Sequence, residues 1–226
     1  MQLTTKDVAK IFNVTERTVN EWTKKQGLRG YREGDVLHFN RSELLEWATL
    51  RGMKISDELL SDTKFSKPTV EFYLASAIEN GGIFYHIQGN SKAELLRNIV
   101  NLLNLPKDAD REFLYNVLFA REQMMTTAIG EGIAIPHPRS PIVLNILQPS
   151  VSICFPEKPI DYGALDGIPV HTLFTVISPS VTLHLRILAR IAYVLKNEQL
   201  KAALLNRADK NKILDLIKVA ETSLIS

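Results

Sequence analysis

Among the five histidines of this chain, His137 stands in the most restricted setting. Pro136 and Pro138 flank it, and their fixed φ angles hold the imidazole on a stiff backbone. Just upstream, Gly130 and Gly132 permit tight or positive-φ backbone, and Ile133-Ala134-Ile135 is an apolar run that suits a buried strand. A histidine restrained at a strand end fits a nucleophile that must meet a partner's phosphate. Neutral imidazole keeps one basic nitrogen at physiological pH and can form a covalent intermediate. On composition alone, a structural loop histidine is the favoured reading. A second chemistry lies near the N-terminus. Arg17, Asn20, Glu21 and Lys24 follow one another at i, i+3, i+4 and i+7, so a helix would gather them on one face. Arg and Asn can contact guanine and adenine edges in bidentate fashion. Two further chemistries are excluded. A single cysteine, no HExxH and no histidines at helical ligand spacing make a poor metal site. The absence of a P-loop removes direct nucleotide use, and no cofactor is implied.

These residues need elements to position them. Thr4 and Thr5 precede a short helix through Phe12, and after Asn13-Val14 the N-cap Thr15 opens a second, Glu16 to about Lys25. Two short helices across so tight a turn make a helix-turn-helix, with Val19 and Trp22 facing its core. LRGYREGDVLHF reads as a hairpin wing turning at Glu33-Gly34-Asp35, with Arg29 and Arg32 placed for phosphate contacts. Asn40 caps a third helix, Glu43 follows in a capping-box arrangement, and Leu44, Trp47 and Ala48 pack it back on the first two.

Residues 52–68 have mixed charge and little periodicity, and read as a linker. Beyond it, helices and strands alternate. A helix is expected over Val70–Glu79, ended by Asn80-Gly81-Gly82, and a strand over Ile83–Ile87. Ser91 to Glu94 forms a capping box that opens a helix with Leu95, Ile99, Leu102 and Leu103 on one face. Asp108 or Asp110 starts the next helix. Strands are expected at Gly132–Pro136, Val151–Phe155 and Val170–Ile177, then helices near 181–195, 198–206 and 209–220. The fold class is therefore a small, mainly α winged helix-turn-helix (1–51) followed by an α/β sandwich with a mixed sheet flanked by helices (69–226).

Residues 2–51, through LTTKDVAKIFNVTERTVNEW, the wing and FNRSELLEWA, resemble the excisionase-like, MerR-type winged helix-turn-helix family. That resemblance implies DNA as partner, with Arg17, Asn20, Lys24, Arg29 and Arg32 as contacts. The other reading is a three-helix interaction module whose basic residues form a solvated face. So small a domain makes few phosphate contacts, so useful affinity calls for a homo-oligomer such as a dimer, or for a second domain. Residues of about 69–220 resemble the fructose/mannitol/nitrogen-regulatory type of phosphotransferase-system enzyme IIA, whose hallmark GxGIAIPH stands here as Gly130 to His137. The resemblance implies that His137 accepts a phosphoryl group from a histidine-containing phosphocarrier protein and passes it to an enzyme IIB. It also assigns Arg121, in Ala-Arg-Glu, and His184, in Ser-Val-Thr-Leu-His, to the site. Arg121 would hold the phosphoryl oxygens and His184 would donate a hydrogen bond from near a helix start. The alternatives are an ion pair at a helix end and a surface histidine. Pro138 and Arg139 depart from the pattern in which Gly and then Thr or Lys follow the histidine.

Length, 226 residues, 45% apolar and 23% charged, exclude wholesale disorder. No apolar run reaches the ~20 residues of a membrane span, and the N-terminus lacks signal-peptide order, so no membrane insertion and a cytoplasmic location are expected. The net charge of +2 is a sum over unlike parts. Residues 1–55 carry ten Lys/Arg against seven Asp/Glu, and the remainder 17 against 18, which places the affinity for anions at the head. The whole-chain expectation is a regulator that links phosphotransferase state to DNA. The alternatives are a plain phosphoryl carrier whose helix-turn-helix is a docking module, and a pseudo-carrier whose His137 is never phosphorylated.

Overall fold

A computed structural model describes residues 2–33, 36–40, 43–44, 47–48, 51, 53, 72–138, 146 and 148–222. The chain divides into two compact units, Met1–Glu71 and Phe72–Ser226. The expected linker, apart from Met53, and Arg139 lie outside the described residues.

In the first unit, α1 spans Thr5–Phe12 and α2 spans Glu16–Lys25. Thr4 and Asp7 close a reciprocal capping box on α1, and the hydrogen bonds from Thr4 hold the Asp7 carboxyl below its usual range. Asn13, left-handed at φ 52°, ends α1, and Thr15 caps α2 by accepting from Thr18 N. The wing is β2 (Tyr31–Glu33) paired antiparallel with β3 (Val36–Asn40). A third strand not foreseen in the sequence, β1 (Gln2–Thr4), joins β3 on its other edge and sets Leu3 opposite Phe39, both buried. Three residues carry too little periodicity to announce a strand. Residues 43–44 and 47–48 are helical, and Glu43 N donates to Asn40 Oδ1 at 3.4 Å. Trp47 is buried with its ring centroid 5.0 Å from that of Trp22, and its indole N–H donates to Gln26 O at 2.9 Å.

In the second unit, α3 covers Leu74–Gly81, β4 Ile83–Ile87, α4 Lys92–Leu102 and α5 Arg111–Met124. The short strands β5 (Ala128–Gly130) and β6 (Ile133–Ala134) form a hairpin. Then come β7 (Ser150–Pro156), β8 (Thr172–Ile177), α6 (Val181–Val194), α7 (Glu198–Leu205) and α8 (Lys210–Thr222). The sheet order is β4-β7-β8-β6-β5, with β4–β7 and β6–β8 parallel and the other two pairs antiparallel. Because β6 runs parallel to β8, the chain segments leaving both strands emerge at one end of the sheet. His137 follows β6 and α6 follows β8, so the topology itself brings them together.

Leu95, Leu96 and Ile99 of α4 and Leu114 and Leu118 of α5 pack with Cys154, Leu173 and Ile177 of the sheet in one buried cluster. α3 packs against β7, where a Cβ at Gly81 would stand 2.2 Å from Val151 O, so only glycine permits the approach. α3 starts at Leu74, later than the expected Val70, because the buried Glu221 carboxylate of α8 accepts from Leu74 N (2.6 Å) and Ala75 N (3.0 Å) and fixes that end. Arg190 Nη1 donates to the same carboxylate at 2.8 Å.

Candidate functional site

The segment before His137 is built for close approach. Gly130 and Gly132 have φ of 98° and 71°, and Glu131 between them is also left-handed at 52°. A Cβ at Gly132 would lie 2.3 Å from the His171 ring, so this turn requires glycine on both grounds. The expected strand over Gly132–Pro136 shortens to Ile133–Ala134, but backbone hydrogen bonds carry the order onward. Ile135 N donates to Thr127 O at 3.0 Å, and Val176 N donates to Pro136 O at 2.9 Å.

His137 is therefore tied to the sheet from both sides, and it is 1% exposed. Its Nδ1 lies 2.6 Å from Ile135 O. A carbonyl oxygen only accepts, so Nδ1 carries the hydrogen and the lone pair of the neutral ring belongs to Nε2. The His184 ring stands over it, with centroids 5.1 Å apart and planes at 53°. His184 is buried in the first turn of α6, whose N-cap Ser180 accepts from Leu183 N at 3.3 Å. The positive end of a 14-residue helix thus lies beside the imidazole pair. His137 and His184 are far apart in the sequence, and the fold brings them into contact.

Arg121 is buried in the last turn of α5, and its Nη1 donates to Met125 O at 2.9 Å. It anchors the loop that leads to Thr127, the residue bonded to Ile135. The neighbouring Glu122 escaped the sequence reading, although it stands in the same Ala-Arg-Glu. It is 3% exposed and bonded to Thr127 and Lys92. The other histidines lie elsewhere. His171 precedes β8 and bonds Thr172 Oγ1 at 2.8 Å, His86 pairs with Glu157 at 2.9 Å on the surface, and His38 stacks on Tyr31 of the wing. Among the described residues, no group of three or more His, Cys, Asp or Glu could hold a metal ion, and no helix is long and apolar enough to cross a membrane.

In the first unit, Val19 and Trp22 are the buried residues of α2. Arg17, Asn20, Glu21 and Lys24 are exposed on the same helix, and Arg17 Nε lies 3.6 Å from Glu21. Arg32 is exposed on β2, while Arg29 is half-buried in the approach to the wing. Arg17, Asn20, Glu21 and Lys24 thus share the exposed side of α2, away from the buried Val19 and Trp22.

Residues 76–220 match the family model described as phosphoenolpyruvate-dependent sugar phosphotransferase system, EIIA 2, and residues 3–49 match a helix-turn-helix domain model. The chain is 32% identical over 154 residues to a nitrogen regulatory protein of Pseudomonas aeruginosa, covering 66% of this chain and 89% of that protein. It is 30% identical over 135 residues to the fructose-specific EIIABC component of a Bacillus subtilis phosphotransferase system, covering 58% of this chain but only 21% of that larger protein. In fold, the chain is similar to the crystal structure of the nitrogen regulatory protein IIA-Ntr from Neisseria meningitidis, with a TM-score of 0.57, 22% identity, and coverage of 64% of this chain and 98% of that one.

Proposed function

The chain belongs to the phosphoenolpyruvate-dependent sugar phosphotransferase system EIIA 2 family, and on that premise we propose that it is a phosphorylation-dependent regulator. Its helix-turn-helix unit binds DNA, and its EIIA unit takes a phosphoryl group on His137. The observation that carries this reading is the buried imidazole pair, in which Ile135 O commits Nδ1 of His137 and leaves Nε2 as the nucleophile.

The donor is a phosphohistidine on a phosphocarrier protein. As the Nε2 lone pair forms a bond to phosphorus, the donor's N–P bond breaks and its electron pair returns to the donor imidazole. No proton has to leave the His137 ring for this bond to form, and Nδ1–H stays on Ile135 O. His184 donates to the phosphoryl oxygens, the α6 N-terminus stabilises their charge, and Arg121 adds charge-assisted hydrogen bonds. Since His137 is 1% exposed, docking of the donor must move aside what covers the ring. An enzyme IIB or another regulator accepts the phosphate in turn. With Nδ1 still protonated, the transferred phosphoryl unit adds one net negative charge to a chain whose DNA-binding head is basic, and so weakens or redirects DNA binding.

Incubation with the general phosphotransferase components and labelled phosphoenolpyruvate tests the first half. Acid-labile label is expected in the wild type and absent from His137→Ala. Label retained in that variant overturns the assignment. Gel shifts over a salt series before and after phosphorylation test the second half. No salt-dependent binding favours a docking role for the head, and equal affinity in both states refutes direct coupling.

A further inference from the structure

Glu122 occupies a costly position. It is in the last turn of α5, at the negative end of the helix dipole, and its side chain is 1% exposed. A carboxylate there is disfavoured by burial and by the dipole, so its retention demands compensating bonds. It has several. Thr127 N approaches both carboxylate oxygens at 3.0 and 3.2 Å, Thr127 Oγ1 donates at 2.5 Å, and Lys92 Nζ donates at 3.1 Å. Lys92 is itself held over the Tyr162 ring, 4.7 Å from its centroid. Burial and then the Glu122 charge hold the Tyr162 hydroxyl well above its usual pKa, so the phenol stays neutral.

The bonds continue toward the imidazole. Thr127 O accepts from Ile135 N at 3.0 Å, and Ile135 O binds Nδ1 of His137 at 2.6 Å. Three consecutive links therefore join the carboxylate to the ring: Glu122 to Thr127, Thr127 to Ile135, Ile135 to His137. A carboxylate needed only to finish a helix would stop at Thr127, and a neutral amide would serve with less burial cost.

We propose that Glu122 is a positioning residue for His137: by pinning Thr127 it fixes the Ile135 carbonyl, and that carbonyl holds the imidazole in its Nδ1–H form with Nε2 as nucleophile. The proposal rests on the reading of His137 as phosphoryl acceptor, but its first readout does not. The side-chain amide introduced by Glu122→Gln would offer one acceptor oxygen and a competing donor, and could not satisfy Thr127 N, Thr127 Oγ1 and Lys92 together. Outer partners that orient metal-bound histidines are typically worth about 10–100-fold, and by that analogy a loss near tenfold, the low end, is expected for this longer chain of bonds.

The test uses full-length chain with ¹⁵N-labelled histidine. Long-range ¹H–¹⁵N spectra of neutral His137 report its tautomer, and the initial rate of label uptake reports the reaction. The wild type and Thr127→Ser are expected to show a single Nδ1–H form and rates within about twofold of one another. Glu122→Gln and Thr127→Val are expected to show a second tautomer, and Glu122→Gln a rate about tenfold lower. A folded Glu122→Gln with one tautomer and wild-type rate overturns the proposal. If that variant does not fold, the Thr127 pair decides, and identical tautomers in Thr127→Val and Thr127→Ser overturn it. Should the wild type take no phosphate while the tautomers change as stated, the positioning stands and the acceptor reading fails.

Discussion

The Arg17 side chain is 90% exposed, whereas His137 is 1% exposed. The first unit spreads its chemistry over α2 and the wing, where Arg17, Asn20, Lys24 and Arg32 stand free of the core that Val19 and Trp22 build. Each charge there adds a small, salt-screened share to any anion contact. The second unit concentrates its chemistry on one ring, held by Ile135 O and faced by His184. Exposed sites divide function among residues that can be lost singly. A buried site makes every supporting bond count, because each unpaired group stays in a low-dielectric interior.

That contrast can be broken or sharpened. The largest effect is expected at the buried pair: His184→Ala should lower the rate of His137 phosphorylation by about 10²–10³, as loss of a donor to developing charge usually does. Single-turnover label uptake measures it, and a change under about threefold would remove His184 from the reaction. Next, Glu221→Ala leaves Leu74 N, Ala75 N and Arg190 without their shared acceptor. Urea unfolding of the second unit should lose about 2–3 kcal/mol, consistent with breaking a buried charged pair and a helix cap. A loss below ~1 kcal/mol would mean that burial does not magnify single contacts here.

The exposed face should respond more weakly. Arg17→Ala and Lys24→Ala are each expected to cost about three- to tenfold in DNA affinity, with the slope of log affinity against log salt falling by about 1 per phosphate contact. A single substitution that abolishes binding would make the α2 face as concentrated as the imidazole site. The smallest effect concerns pH. Burial first, and the nearby Arg207 charge, lower the His171 pKa from 6.5 in the folded chain. The unfolded chain then takes up that proton first, so stability is full above about pH 6.5 and declines as pH falls through the folded pKa. Urea midpoints should drop slightly more between pH 7 and 5 in the wild type than in His171→Gln, and parallel curves would show that His171 titrates alike in both states.

Local signals made most elements legible. Thr15, Ser91, Asp110 and Ser180 each cap the helix that follows, because a side-chain oxygen and an orphan N–H need only neighbours in sequence. GEGIAIPH marks His137 as restrained because glycine, strand and proline act within eight residues, but its reading as phosphoryl acceptor rests on family resemblance. Arg121 and His184 came through family resemblance, since no spacing rule joins residue 184 to residue 137. The bonds that set the site's chemistry are less readable still. Glu221 caps a helix 147 positions away. The tautomer of His137 depends on the direction of one carbonyl, that of Ile135, whose own N–H is held by Thr127 O. Short strands such as β1 and β5 are fixed by their partners, not by their own three residues.

The central claim is that the buried ring reacts through Nε2. It is tested most directly by phosphorylating wild-type chain carrying ¹⁵N-histidine and reading the ³¹P and long-range ¹H–¹⁵N spectra. Phosphorus bonded to Nε2 of His137, with Nδ1 still protonated, is the expected result. Phosphorus on Nδ1, or on any other residue, would contradict the geometry from which the mechanism is derived.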